Sequence, residues 1–188
     1  HNTVSSSAGR RAPLAERLRP KSWEEFQGLE AIDPRLVEQL RAGRGNPPSL
    51  VLWGPPGSGK TTLAKLIGRA YSCSFVEFSA VLSGVKDVRA VVERAGRDPR
   101  RTILFIDEIH RFNKAQQDAF LPHVENGTLV LIGATTENPS FYLNGALLSR
   151  VKVVVLPPLS DQSLRRILEA ATGRLEISFD EQATQLAC

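Results

Sequence analysis

A run of eight residues has the composition of a phosphate-binding loop: Gly54-Pro55-Pro56-Gly57-Ser58-Gly59-Lys60-Thr61. Its glycines allow backbone angles that curl the loop, so that successive N–H groups point inward and form a nest for anions. Lys60 supplies a cation for β- and γ-phosphates, and the Thr61 hydroxyl can ligate Mg²⁺. An apolar run precedes the string and a helical pattern follows it, as this P-loop motif requires. We therefore predict a site for ATP and Mg²⁺.

A pair of acids, Asp107-Glu108, follows the apolar run Thr102–Ile106. Such a run is typical of a strand buried on both faces, and ligands bind at the carboxyl ends of strands in open α/β sheets. We expect Asp107 to hold the Mg²⁺ shell and Glu108 to orient and deprotonate the attacking water. Strand ends often carry solvated acids, but this pair lies 47 residues (107 minus 60) beyond Lys60. The combination favours hydrolysis over passive binding.

Two further positions are open to more than one interpretation. Thr135-Thr136 come just after the apolar run Leu129–Ile132, where a hydroxyl could either sense the γ-phosphate or belong to a turn that ends the strand. Arg150 follows a short helical pattern. It is either an arginine that stabilises transition-state charge on a neighbour's γ-phosphate or an ordinary surface arginine.

Composition limits the class of protein. The chain has 188 residues, of which 41% are hydrophobic and 23% charged, as in ordinary globular domains. No apolar run approaches the ~20 residues that span a bilayer. Cys73 and Cys188 lie far apart, and neither they nor His110 and His123 have metal-ligand spacing, so packing or capping roles are expected for the histidines. This cysteine usage is typical of a reduced, cytosolic-type protein. The net charge of +4 is compatible with a nucleic-acid partner without requiring one.

The sequence pattern divides the chain into three parts. Residues 1–12 are predicted to form a disordered arm, residues 13–156 a nucleotide-binding α/β domain, and residues 157–188 the beginning of a helical unit. Pro157-Pro158 interrupts the chain before that unit, and Ser160 is expected to cap its helix.

Strands and helices alternate within the α/β domain. Strands are predicted over 49–53, 74–79, 102–106, 129–135 and 152–156, the last two of the buried type. Helices are predicted over about 60–70 and 85–96, and a further helix should start at the capping box of Asn113 and Gln116. Pro122 should end or kink that helix. Such alternation predicts a mostly parallel sheet covered by helices.

Taken together, these residues resemble those of AAA+ ATPases of the clamp-loader clade. The stretch DEIHRFNKAQQDAFLPHVENGTLVLIGATTENPSF (Asp107 to Phe141), followed by ALLSR, is similar to the RarA/MgsA family of replication-associated recombination proteins. The eukaryotic members of that family include the Werner-helicase-interacting ATPase. The resemblance covers roughly Pro13 to the end of the chain and is densest over 50–62 and 102–150.

The resemblance implies a fold and assigns the main site residues. The fold is that of a P-loop NTPase, with a five-stranded parallel sheet that has the P-loop strand at its centre, flanking helices and a helical lid. Gly54 to Thr62 become the phosphate-binding loop, with Thr62 as an additional member. Asp107 and Glu108 become the Mg²⁺-binding and water-activating acids.

Other positions take roles only through the resemblance. Thr136 (or Thr135) becomes sensor 1, and Arg150 becomes an arginine finger that acts in trans. Leu18-Arg19-Pro20 and Phe26-Gln27-Gly28 lie where the clade contacts the adenine base, although the family usually has Gly-Gln where this chain has Gln-Gly. A second sensor arginine, which this group carries in a Gly-Asp-Ala-Arg-like string of the lid, is expected outside these 188 residues.

The resemblance also implies an activity and partners. It implies a motor that is stimulated by DNA and acts at stalled or gapped replication forks, on DNA ends and single-strand/double-strand junctions. The expected partners are DNA, further copies of the chain in a tetramer, and a single-stranded DNA-binding protein, without a membrane. The expected location is cytoplasmic and nucleoid-associated in a bacterium, or nuclear in a eukaryote. The alternatives are a clamp-loader subunit, a branch-migration motor and a nucleotide-gated adaptor without catalysis.

Overall fold

A computed structural model describes residues 13–186 of the chain. It contains five strands: β1 (Leu50–Trp53), β2 (Ser74–Ser79), β3 (Thr102–Asp107), β4 (Leu129–Thr135) and β5 (Lys152–Val155). All of them pair in parallel, in the order β2-β3-β4-β1-β5. The predicted five-stranded parallel sheet is confirmed, because each strand was expected within one residue of these bounds.

The strand that leads into the phosphate loop does not lie at the centre of the sheet, so that prediction was wrong. β1 pairs with β4 on one side and with β5 on the other, whereas β3 and β2 extend the sheet only on the β4 side. The central strand is therefore β4. Its carboxyl end is inserted between the end of β1 and the end of β3, which carry the two predicted motifs.

The register of the ladders brings the ends of these three strands to one edge. Trp53, the last residue of β1, is paired with Thr135, the last residue of β4. On the other side of β4, Gly133 is paired with Ile106 of β3. Because the strands are parallel, the residues that follow them emerge at the same edge of the sheet, where α/β folds place their ligands.

Helices cover both faces of this sheet. They are α1 (Leu14–Leu18), α2 (Pro34–Ala42), α3 (Lys60–Ala70), α4 (Val85–Arg97), α5 (Lys114–Glu125), α6 (Gly145–Leu148) and α7 (Asp161–Leu186). One core cluster joins β1 and β3 to α2 and α3 through Leu40, Leu63 and Ile67. The other joins the opposite face to α4 and α5 through Val88 and Phe120. Alternate strand residues thus enter separate cores, which explains why the strand sequences are apolar throughout.

The helix α5 begins as predicted and runs through Pro122, at which it was expected to end or kink. Its capping box is confirmed, since Gln116 N donates to Asn113 Oδ1 at 2.8 Å and Asn113 N donates to Gln116 Oε1 at 3.0 Å. Pro122 does not end the helix, which continues to Glu125. The Pro122 carbonyl still accepts from Asn126 N at 3.0 Å, so only the one bond that would need its missing N–H is lost.

The strand β5 is less buried than predicted. It forms one edge of the sheet, and Val153 and Val155 are 42% and 55% exposed, whereas Val154 is buried. An edge strand pairs on one side only, and its apolar residues are here of the β-branched type that favours strands whether or not both faces are covered.

The helix α7 follows Pro157-Pro158 and begins as predicted. Ser163 N donates to Ser160 Oγ at 3.1 Å, which confirms Ser160 as its cap. The predicted arm of residues 1–12 and the last two residues, 187–188, lie outside the described residues. Within residues 13–186, no helix is both long and apolar enough to cross a membrane.

Candidate nucleotide site

A cavity of about 540 Å³ opens at the carboxyl edge of the sheet. Its floor is formed by the loop between β1 and α3 and by the ends of β3 and β4, and its far wall comes from the segment around Leu18 and from the region that begins α7. The predicted loop residues that line it are Pro56, Gly57, Ser58, Gly59, Lys60, Thr61 and Thr62. Gly54 and Pro55 do not line it.

The ammonium group of Lys60 is held at the base of this loop. Lys60 Nζ donates to Gly54 O at 2.7 Å and to Pro55 O at 2.8 Å, and lies 3.3 Å from Ser58 Oγ. Burial lowers the pKa of Lys60, and the nearby Asp107 carboxylate opposes that shift. The loop therefore presents a half-buried cation where phosphates would bind, next to the first turn of α3.

Two glycines of the loop are required by their surroundings. A Cβ atom on Gly54 would lie 2.3 Å from Leu156 O, so a larger residue cannot enter without a backbone shift. Gly59 has a φ of +90° at the start of α3, and a Cβ atom there would lie 2.8 Å from Cε2 of the buried Phe26 ring. The helix that carries Lys60 thus begins in direct contact with the segment that lines the other end of the cavity.

Asp107 and Glu108 line the same cavity, as the sequence predicts. Glu108 N donates to Asp107 Oδ1 at 2.9 Å, which fixes one oxygen of the first acid. Glu108 has a φ of 51°, a left-handed conformation that costs a non-glycine residue about 1–3 kcal/mol and is enriched at functional sites. Its carboxylate pairs with Arg111 Nε at 3.4 Å. Arg111 was not predicted as a partner of Glu108, although its spacing of three residues would have suggested the pair.

Mg²⁺ would find a hydroxyl and a carboxylate among the residues that form the floor of this cavity, those of Thr61 and Asp107. No cluster of three or more His, Cys, Asp or Glu residues that could hold a metal occurs in the described part of the chain. The pair of Thr61 and Asp107 fits Mg²⁺, because this ion keeps several waters and is bound by few protein oxygens together with substrate phosphates.

The two threonines at the end of β4 both line the cavity but differ in burial and hydrogen bonding. Thr135 is buried, and its Oγ1 accepts from Glu137 N at 3.0 Å and donates to Glu137 O at 3.2 Å. His110 Nδ1 lies 3.3 Å from the same oxygen, so His110 contacts the end of the strand. Thr136 is exposed, lines the cavity and has no side-chain partner within residues 13–186. Of the two candidates, only Thr136 presents an unengaged hydroxyl to a ligand.

Comparison with known proteins identifies the family of this fold. Residues 50–159 match the model of the family described as ATPase family associated with various cellular activities (AAA). This chain belongs to the AAA family. The matched segment runs from β1 to the residues before α7 and includes the phosphate loop, Asp107-Glu108 and Thr136.

The sequence relatives of this AAA chain agree with the resemblance predicted above. It is 53% identical over 178 residues to replication-associated recombination protein A from Coxiella burnetii, covering 93% of this chain and 40% of that one. It is 52% identical over 165 residues to the Escherichia coli K12 protein of that name, covering 85% and 36%. With ATPase WRNIP1 from Dictyostelium discoideum the identity is 46% over 164 residues, covering 84% and 18%. The chain thus spans about two fifths or less of these relatives' lengths.

A solved structure has the same architecture. The Holliday junction branch migration motor RuvB from Thermotoga maritima superposes with a TM-score of 0.69 at 31% identity, covering 85% of this chain and 55% of that one. The AAA membership and this shared fold support nucleotide binding and ATPase activity in general.

The far wall of the cavity in this AAA domain comes from distant parts of the chain. The residues that line it are Leu18, Arg19, Pro20, Phe26 and Gln27. They belong to the two segments that the resemblance implies contact the adenine base. Leu159 and Ile167, from the region after Pro157-Pro158, complete it and were not predicted. Ile167 could have been suspected, because it is an apolar residue in the first turns of a helix whose cap the sequence does show.

Arg150 lies outside the cavity. It follows α6, is exposed, and its guanidinium forms no hydrogen bond or ion pair with the described residues. Only its backbone is engaged, through Arg150 N donating to Leu147 O at 3.0 Å. The structure therefore brings together the phosphate loop, the two acids and Thr136, and it places the predicted finger elsewhere on the surface.

Proposed function

We propose that this AAA chain is the nucleotide-binding part of a RarA-type motor that binds ATP with Mg²⁺ and hydrolyses it. The observation that carries the proposal is the convergence of Lys60, Thr61, Asp107 and Glu108 on one cavity. A P-loop alone would support binding. Glu108, which follows β3 in a strained conformation, adds the carboxylate that hydrolysis needs as a general base.

Different residues bind different parts of the triphosphate and its Mg²⁺. The loop from Gly54 to Thr62 surrounds the phosphates with backbone N–H groups, and the start of α3 adds its positive dipole end. Lys60 exchanges its bonds to the carbonyls of Gly54 and Pro55 for bonds to phosphate oxygens. Thr61 and Asp107 would hold Mg²⁺, which neutralises charge on the β- and γ-phosphates when bound.

Hydrolysis requires an activated water in line with the γ-phosphate. The Glu108 carboxylate orients that water and accepts its proton, while Thr136 donates its hydroxyl hydrogen to the γ-phosphate. Arg150 is exposed, lies away from its own cavity and is available to a neighbouring copy of the chain. In that position it serves as a finger that stabilises transition-state charge in trans.

The biological setting follows the relatives. Since the related proteins are named for replication-associated recombination, we place this motor on DNA at stalled or gapped forks, on ends and junctions. The net charge of +4 suits such a partner. A tetramer stimulated by DNA, cooperating with a single-stranded DNA-binding protein, belongs to the same proposal.

Substitution of Glu108 tests the hydrolytic role. In the full-length protein, Glu108→Gln should preserve ATP affinity and lower turnover by roughly 10²–10⁴-fold, because it removes the general base. Glu137→Gln is a matched control, since Glu137 is also an exposed acid at this edge of the sheet but does not line the cavity. ATP binding by equilibrium titration and phosphate release with DNA present separate the two effects. Normal turnover in Glu108→Gln would remove Glu108 from the mechanism.

A mixing experiment tests Arg150. Full-length Arg150→Ala subunits have intact cavities but no finger, and Lys60→Ala subunits have a finger but a disabled cavity. Mixed oligomers should recover part of the phosphate release that each variant lacks alone. Failure to recover any activity at every mixing ratio would argue against a finger in trans.

The similarity to RuvB favours one alternative, a branch-migration motor. Holliday junctions would then stimulate phosphate release more strongly than forks or gapped duplexes, and the protein would move the junction. A DNA panel that compares these substrates at equal salt distinguishes the two functions.

A further inference from the structure

One side chain of the helix α7 reaches back to the beginning of the domain. Arg174 Nη1 donates to Leu18 O at 3.3 Å and to Arg19 O at 3.2 Å. Its Nη2 forms a charged hydrogen bond with Glu25 Oε2. These partners lie about 150 residues earlier in the sequence, so a single guanidinium joins the last described helix to the first described segment.

The segment that Arg174 holds is also a wall of the nucleotide cavity. Leu18 and Arg19 line the cavity, and Arg174 binds their backbone carbonyls. Arg174 itself does not line the cavity. It therefore acts on the cavity only through the position of these two residues.

The same face of α7 carries the second contribution to that wall. Ile167 lines the cavity, and Arg174 follows it by seven residues (174 minus 167), which is close to two helical turns. Residues at this spacing lie above one another on a helix. The helix thus presents an apolar residue to the cavity and, two turns later, a guanidinium to the segment behind it.

Glu25 fixes the other end of this connection. Its Oε2 also accepts from Lys21 N at 3.0 Å, so the carboxylate closes the turn that follows Arg19-Pro20. The hydrogen bond from Arg174 is the largest cause of a lowered pKa at Glu25, with that from Lys21 N second. Arg174 thus binds three acceptors with a planar fork of donors, a geometry that lysine cannot reproduce.

We infer that Arg174 is a positioning residue for nucleotide recognition, which sets the adenine-facing wall by holding Leu18 and Arg19 against α7. The inference rests on the proposed ATP site. Its consequence is that the two ends of the cavity respond differently to loss of Arg174. The phosphate loop is built on β1 and α3 and should be unaffected, whereas the base should lose a defined wall.

The test compares two ligands that share the phosphate end. ATP and inorganic tripolyphosphate, each with Mg²⁺, are titrated against the full-length protein and its Arg174→Ala variant. We expect ATP affinity to fall about 10-fold or more, the effect of losing charged hydrogen bonds, with tripolyphosphate affinity unchanged. Arg174→Lys should recover only part of the ATP affinity. Arg165→Ala is the control, because Arg165 is exposed on the opposite side of α7.

Several outcomes would overturn the inference. Equal losses for ATP and tripolyphosphate would indicate a general structural role, and no loss for either would remove Arg174 from recognition. If Arg174→Ala does not fold, Glu25→Gln weakens the same connection and must show the same selective loss. A wild-type protein that binds neither ligand would refute the proposed function and this inference with it, whereas intact ATP binding without the selective loss refutes only the inference.

Discussion

The two ends of the cavity, which we propose bind the triphosphate (the phosphate end) and the adenine base (the base end), are built in different ways. The phosphate end is a continuous loop between β1 and α3, and the acids beside it follow a neighbouring part of the same sheet. The base end is assembled from residues such as Leu18, Phe26 and Ile167, which are far apart in sequence. Backbone hydrogen bonds between strands fix the first end. Side-chain contacts, including the ion pair of Arg174 with Glu25, fix the second.

Because of this difference, we expect the phosphate end of the site to be rigid and the base end to be adaptable. A parallel sheet with both faces covered holds the phosphate loop and the acids in a register that cannot slip without exposing its core. The base end depends on α7 and on a short N-terminal segment, whose contacts can rearrange individually. We therefore expect the chemical step to be sensitive to changes at the phosphate end, and recognition of the base to be sensitive to changes in α7.

The largest effect should come from the point where the two ends touch, at Gly59. Gly59→Ala combines an unfavourable positive φ with a clash against Phe26, so it should lower the free energy of unfolding by about 2–5 kcal/mol. Gly57→Ala is the matched control, because Gly57 also has a positive φ but open space around its Cβ position. Gly57→Ala should lower the free energy of unfolding only by the backbone strain, about 1–2 kcal/mol. Urea denaturation of both variants measures the difference.

Ligand binding by the Gly59 variant extends the same comparison. Displacement of the Phe26 ring should weaken ATP binding more than tripolyphosphate binding. Equal unfolding energies for Gly57→Ala and Gly59→Ala would show that the ring moves freely, and the two ends would then not be coupled through this contact.

Prediction from sequence succeeded where local chemistry determines structure. The phosphate loop, the capping box of Asn113 and Gln116, and the cap at Ser160 each depend on a few adjacent residues. The strands were placed almost correctly because apolar runs between turn residues are a strong local signal. The same reasoning placed Asp107 and Glu108 next to the loop, since parallel strands end at a common edge.

Prediction failed where distant parts of the chain decide the outcome. No sequence feature near β1 indicates which strands will flank it. Its place next to the edge strand β5, and not at the centre of the sheet, could therefore not be predicted. Pro122 was expected to end or kink α5, and the helix continues past it to Glu125 at the cost of one hydrogen bond. Leu159 and Arg174 act through partners more than a hundred residues away, a separation that no local pattern encodes.

A smaller effect should distinguish the two threonines at the end of β4. Thr135→Val leaves Glu137 N without its buried partner, so we expect a loss of about 1–3 kcal/mol in unfolding free energy. Thr136→Val should change stability by no more than about 0.5 kcal/mol, because its hydroxyl is exposed. If Thr136 binds the γ-phosphate, its variant should lose about 10–100-fold in turnover. Thermal unfolding and phosphate release of both variants give the comparison, and turnover loss confined to Thr135→Val would reverse the assignment.

The smallest effect is a pH dependence that belongs to the phosphate end alone. Burial lowers the pKa of Lys60, so its charge is lost at a lower pH than that of an exposed lysine. Phosphate binding needs the protonated form, and ATP affinity should therefore decline as the pH rises from neutral toward that lowered pKa.

The stability of the free protein should change in the opposite sense. In the window between the folded and unfolded pKa values of Lys60, the unfolded chain binds more protons, so this group's contribution to stability increases with pH. The stabilisation that ATP adds should shrink over the same window, which thermal shifts with and without ATP can measure. Lys60→Arg keeps its charge at alkaline pH and should show no such decline. A decline that persists in Lys60→Arg would assign the titration to another group and leave the phosphate end without a distinct pH response.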